Sequence, residues 1–182
     1  TPDIQMHMVP YAVKNPKKRQ LHKFPGMTVS IYQLRPESLG SIHIQSPDAS
    51  DQPAINFNFL ADSIDQDAMI AGFKKIREIM NTNAMRDIRG EEFSPGAEVK
   101  TDDEILGFIR NTAETAYHPI GTCRMGNGSE SVVNERLKVH GLEGLRVADG
   151  SIMPTMVSGN TNAACIMIGE KASEMIKQDN PS

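Results

Sequence analysis

The chain is 182 residues long, with 38% hydrophobic residues and a formal net charge of -4 from 19 basic and 23 acidic side chains. A chain of this length folds as one domain or slightly more and buries about 70% of its unfolded surface, so it needs no disulfide or metal to hold together. Whole-chain disorder is excluded, and so is nucleic-acid or anionic-lipid binding by bulk charge, which leaves small molecules or protein partners.

Residues 1 to 26 carry Pro2, Pro10, Pro16 and Pro25 and the basic cluster Lys14, Lys17, Lys18, Arg19, His22 and Lys23. That spacing of prolines predicts an irregular, solvated surface segment. From Met27 to Leu60 the period is two, in runs at 28–32, 41–45 and 55–59 bounded by Pro or Gly, which predicts antiparallel strands with one buried face. His43 lies between Ile42 and Ile44, so it faces solvent if they face inward.

Helical spacing begins after Asp62-Ser63, both good N-cap types. Met69, Ile70, Phe73, Ile76 and Met80 then form one stripe, with methionines as core filler, and predict a helix over 63–83. This stripe is expected to cover a sheet built from residues 27–60. After a polar loop at 90–100, Thr101-Asp102-Asp103-Glu104 is a capping-box pattern, with Ile105, Phe108 and Ile109 one helical face behind it. Pro119 disfavours helix at His118, so this second helix is expected to run to about residue 116 and leave the imidazole at its end. A titratable ring there, before the turn Pro119-Ile120-Gly121-Thr122, suits either a catalytic base or a structural role.

Gly144-Leu145-Arg146-Val147-Ala148 reads as a short strand ending in Asp149-Gly150-Ser151. In Ser158-Gly159-Asn160-Thr161-Asn162, small and amide residues open a last helix that starts near 160–162. Its first turns are apolar all round and expected to be buried. Backbone N–H groups at such a start stabilise an anion or a ring gaining negative charge; capping explains one asparagine but not two. Cys123 and Cys165 lack zinc or disulfide-framework spacing, so no metal site is expected. The longest apolar run, Ala163 to Ile168, is too short for a membrane span, and the first residues lack a signal-peptide pattern. A first residue other than Met reads as a processed product or a piece of something longer.

Three stretches carry a resemblance: Tyr117 to Gly126 (YHPIGTCRMG), Leu137 to Pro154 (LKVHGLEGLRVADGSIMP), and Ser158 to Ala163 (SGNTNA) continuing to Gly169-Glu170-Lys171-Ala172. They resemble the C-terminal region of the glucose-methanol-choline (GMC) flavin oxidoreductases, with the weaker Arg35-Pro36-Glu37-Ser38-Leu39-Gly40-Ser41 extending the likeness over nearly the whole chain. The wording is nearest to the choline dehydrogenase and aliphatic alcohol dehydrogenase branch.

The resemblance implies an α+β fold, with residues 1–117 in a substrate-binding domain and 118–182 as active-site segment and tail of a FAD-binding domain. It implies His118 as the active-site histidine, Asn160 as the second catalytic position, and Asp149, Gly150, Thr161 and Asn162 as FAD contacts. Asn134 stands where Asp is usual and Ala164 where Pro is common. The family's GxGxxG flavin turn is absent from this stretch; Gly126-Asn127-Gly128-Ser129-Glu130-Ser131 lacks the third glycine. The implied partners are an N-terminal FAD-binding half, a small alcohol and an oxygen or quinone-type acceptor. No nucleic acid is implied, and a homo-oligomer stays open. The implied location is cytoplasmic, peripheral membrane attachment of the parent enzyme included. The alternative is a stand-alone, non-catalytic binding module derived from the same domain. Choline would want an aromatic or acidic cage, and with no Trp and 3 Tyr the chain tilts toward an uncharged alcohol.

Overall fold

The computed structural model describes residues 2–15 and 18–181. Lys17 of the basic cluster and Pro16 lie outside the described residues. The chain divides into two compact units, the first made of residues 1–38 and 60–114, the second of 39–59 and 115–182. Mixed helices and antiparallel strand pairs make it α+β, as the sequence predicts.

In the first unit, β1 (Ile4–Val9) pairs antiparallel with β4 (Thr28–Gln33), from Ile4 opposite Gln33 to Val9 opposite Thr28. Two shorter strands, β2 (Val13–Asn15) and β3 (Gln20–Leu21), pair between them. The segment expected to be irregular therefore contains three strands among its described residues. Pro2 and Pro10 bracket β1 without entering it, and Ile4, Met6 and Met8 alternate with polar residues, so the strand period survives between the prolines.

Helix α1 (Ser63–Met80) crosses this pair. Asp62 caps it by accepting from the Ile64 N–H at 2.8 Å. Gly72 lets it come close, since a Cβ there would stand 2.9 Å from Ile31 Cδ1 and 3.4 Å from Ile4 Cδ1. The predicted stripe faces inward, Ile70 buried and Met69, Phe73, Ile76 and Met80 half-buried. Ile70 joins Ile105 and Ile109 of α2 (Asp102–Thr112) in the unit's core. The capping box forms in full: Glu104 N–H donates to Thr101 Oγ1, and Thr101 N–H to Glu104 Oε2. The loop at 90–100 is tied down by Arg77, which pairs with Glu92 at 2.6 Å, donates to the Gly96 carbonyl and lies over the Phe73 ring.

Helix α2 stops at Thr112, short of the expected 116, with Ala113 already extended. The residues that would continue the Ile105–Ile109 face are Thr112 and Ala113, which offer no bulk to bury, so packing does not sustain another turn. His118 consequently sits in a loop rather than at a helix end.

The expected single sheet over 27–60 is also corrected. Of the strands in that range only β4 lies against α1; β5 (Ser41–His43) and β6 (Ala54–Asn56) form a separate antiparallel hairpin in the second unit. Three-residue strands pair without covering a face, and Ile42, Ile44 and Ile55 are exposed. His43 is exposed, as predicted.

The second unit's core gathers Val133, Leu137, Ile152, Met153, Ile168 and Ala172. Residues 123–125 hydrogen-bond along 151–152, through Cys123 N–H to the Ser151 carbonyl at 3.0 Å and Met125 N–H to the Ile152 carbonyl at 2.9 Å. The expected strand at 144–148 is reduced to an isolated bridge between Lys138 and Arg146. Asn134 accepts from the Arg136 and Lys138 N–H groups at 2.9 and 3.1 Å, the same turn chemistry an Asp supplies. Helix α3 (Asn162–Asp179) starts where predicted, but only one side of its first turns is covered. Ile168 is buried and Cys165 half-buried, whereas Ile166 and Met167 stand exposed, because within this unit the core meets a single face of the helix.

The most consequential polar group of the first unit is Asp65, 2% exposed on the first turn of α1. It accepts the Glu37 N–H at 2.9 Å and the Ser38 N–H at 2.8 Å, seating the Arg35-to-Leu39 loop. Burial by itself pushes the carboxyl up, but hydrogen bonds from the Ser38 side chain, the two backbone N–H groups and Gln33 outweigh it and hold its pKa below the ordinary value. Such a group stabilises the fold fully above its unfolded pKa of about 3.9 and loses that contribution as pH falls through the lower folded value. Asp65→Asn should cost about 1.5–3 kcal/mol at neutral pH by denaturant unfolding. The gap to wild type should shrink as the pH falls below about 4, and a gap constant with pH would show that the carboxylate charge is not what holds the loop.

Candidate active site

All six site residues predicted from sequence lie on three chain segments that meet in the second unit. Tyr117 takes a left-handed backbone, φ 60°, with its N–H on Thr115 Oγ1 at 3.0 Å. This turn delivers the half-buried His118, and Pro119 and Gly121, the latter at φ 82°, carry the chain away again. Thr161 lies 43 residues on, at the N-cap of α3, and is buried. Its Oγ1 stands 3.1 Å from His118 Nδ1. Asn160 is the residue before it and is exposed.

The third segment is the 3-10 turn Gly150–Ile152. Asp149 caps it, accepting the Ser151 N–H at 2.8 Å. Hydrogen bonds from the Ser151 side chain and backbone hold the Asp149 carboxyl below its usual range against a small opposing effect of burial, so it is an anion at neutral pH with lone pairs left for hydroxyl donors. Gly150 presses on both other segments: a Cβ there would meet Cys165 Sγ at 3.2 Å, Met153 Cε at 3.8 Å and the Pro119 carbonyl at 3.9 Å. Cys165 N–H in turn donates to the Thr161 carbonyl at 2.9 Å. Gly150 therefore sits where the histidine loop and the start of α3 come together.

Asn162 is the first residue of α3 and exposed, so it does not cap the helix; Thr161 holds the cap position, yet its side chain makes no cap hydrogen bond. The contact between Thr161 and His118 is the part that sequence reasoning missed. Threonine before a helix reads as a cap, and nothing local marks its hydroxyl as bound elsewhere. Among the described residues no group of three or more His, Cys, Asp or Glu is placed to hold a metal ion, and no helix is long and apolar enough to cross a membrane.

The arrangement offers a partly exposed imidazole with one nitrogen engaged by Thr161, an exposed amide on the residue before that threonine, an anionic carboxylate, and a bare glycine backbone at the start of a 3-10 turn. That is a donor and acceptor set for a polar organic molecule.

Comparisons with known proteins agree on one group. A family model described as GMC oxidoreductase matches residues 36–169. An oxygen-dependent choline dehydrogenase of Escherichia coli K12 is 44% identical over 176 residues, which is 97% of this chain and 32% of that protein. The chain thus spans about a third of the length of the curated relatives it matches. Among solved structures, a pyridoxine 4-oxidase from Mesorbium loti superposes with a TM-score of 0.85 at 25% identity, covering 97% of this chain and 35% of that one. An FAD-dependent oxidoreductase from Chaetomium thermophilum gives 0.77 at 33%, covering 83% and 26%.

The packing at Gly150 generates a test. Its backbone is not in the left-handed region, so Gly150→Ala acts through crowding of Cys165 and should cost about 1–3 kcal/mol. Cys165→Ala should remove most of that penalty in the double variant, read by denaturant unfolding. Additive losses would mean that the two residues do not share one space.

Proposed function

We propose that this chain, which belongs to the GMC oxidoreductase family, supplies the substrate-binding domain and the active-site end of the flavin domain of a FAD-dependent alcohol oxidoreductase. Residues 1–117 are the substrate-binding part and 118–182 the active-site segment and tail. The observation that carries the reading is His118, presented by a strained turn and held at one ring nitrogen by Thr161, the residue that follows Asn160.

Oxidising an alcohol to an aldehyde removes hydride from carbon, and this proceeds only as the hydroxyl proton leaves, because the forming carbonyl needs electron density from oxygen. His118 accepts or polarises that proton, and Asn160 donates a hydrogen bond to the alkoxide-like oxygen. FAD, when bound, supplies the hydride acceptor. The residues present fit it. Gly150 offers backbone without a side chain, the Asp149 carboxylate accepts from sugar-type hydroxyls, and α3 begins without a side-chain cap, its exposed Asn162 amide suiting a ring that gains negative charge. Thr161 and Asn162 would flank that ring. The relatives' common chemistry points to a small alcohol as substrate; an uncharged one is favoured by the absence of Trp. The partners are an N-terminal FAD-binding part of the parent enzyme and an oxygen or quinone-type acceptor.

The chain by itself should elute from gel filtration without flavin absorbance after incubation with FAD, since the GxGxxG turn that anchors the pyrophosphate is not in it. A stoichiometric yellow chain bleached by alcohol would place the cofactor's main anchor here instead. In the full-length protein, His118→Gln should lower kcat about 10²–10⁴-fold and Asn160→Ala about 10²–10³-fold in alcohol-dependent dye reduction. Full turnover in either variant would remove the assigned role, and no alcohol-dependent reduction in the unmutated protein would favour a non-catalytic binding module.

A further inference from the structure

Thr161 occupies an N-cap position but does not cap. Its backbone is helical, φ -81° and ψ -11°, and its side chain makes no hydrogen bond to the first turn of α3. A capping threonine ordinarily contributes about 1 kcal/mol, so a buried hydroxyl turned to another use gives up that stabilisation. Here it is 8% exposed and meets His118 Nδ1 at 3.1 Å. Both ends of this hydrogen bond are braced. The Thr161 carbonyl accepts from Cys165 N–H, and a Cβ on Gly150 would meet both Cys165 Sγ and the Pro119 carbonyl, so the two segments come together there.

A neutral imidazole has one N–H and one lone pair, and a partner fixed on one nitrogen decides which atom carries the proton. With Nδ1–H donating to Thr161 Oγ1, Nε2 keeps its lone pair and accepts a proton. With the hydroxyl donating to Nδ1, the proton sits on Nε2 and that nitrogen cannot act as a base. We propose that Thr161 is a positioning residue that holds His118 in the Nδ1–H tautomer and so leaves Nε2 as the proton acceptor. The direction of the hydrogen bond rests on the alcohol-oxidising reading, in which His118 takes a proton. Thr161 then works through the histidine, whatever its contact with the flavin.

The tautomer is read directly by long-range 1H–15N correlation on the 15N-labelled chain at pH about 8.5, above the ordinary imidazole pKa of about 6.5. The expected result is His118 predominantly Nδ1–H in the wild type and in Thr161→Ser, with Thr161→Val moving the population several-fold toward Nε2–H. A wild-type ring that is mainly Nε2–H overturns the proposal without any variant, and so does an unchanged ring in Thr161→Val. In the full-length protein, Thr161→Val should lower kcat on the order of tenfold with KM unchanged, and Thr161→Ser should restore it. A tautomer that moves while kcat does not would uphold the positioning and overturn the base role of His118, which separates the two failures.

Discussion

The close approach of segments around Gly150 is the constraint on which the arrangement of the second unit depends, because it is where parts of the chain distant in sequence come together. A Cβ at that position would lie 3.2 Å from Cys165 Sγ and 3.9 Å from the Pro119 carbonyl. Close-packed interiors transmit shifts of a few tenths of an ångström; His118 directly precedes Pro119 in the chain, and the Thr161 carbonyl accepts the Cys165 N–H. A hydrogen bond of 3.1 Å between side chains 43 residues apart is held by backbone packing beneath it rather than by the pair itself.

Two carboxylates, one in each unit, collect donors in different ways. Asp65 is buried and takes backbone N–H groups, so it organises a loop that has no repeating structure of its own. Asp179 closes the far end of α3, facing Arg136 at 2.6 Å, Lys138 at 3.0 Å and the Arg146 guanidinium, and these hydrogen bonds drive its pKa far below the usual carboxylate range. Arg136 and Lys138 belong to the turn built on Asn134, so the clasp ties the last turn of α3 to the segment whose Val133 and Leu137 form the core. The helix that presents Thr161 at its start is thereby fixed at both ends.

In the proposed reading the site is assembled from several segments of the second unit. Histidine, amide, carboxylate and bare backbone lie on loops and helix starts, where backbone groups are not already consumed by regular structure. The first unit contributes packing: its strand pair, two capped helices and Asp65-seated loop enclose a small apolar core.

The sequence by itself determined the helix starts, the inward stripe of α1, the α+β class and the motif residues, because capping and periodicity are local and act over a few residues. It misjudged Ile4–Val9, where prolines outside a strand were read as breaking it, and the reach of α2, which ends when its face runs out of bulk at Thr112. Burial was less legible than periodicity: Ile42, Ile44 and Ile55 alternate as buried strands do and yet stand exposed, since alternation states which residues share a face and not whether anything covers it. Only the tertiary structure decided that the Thr161 hydroxyl serves His118 instead of the helix, because a side chain's choice between a cap and a partner 43 residues away depends on what packing brings within 3.1 Å.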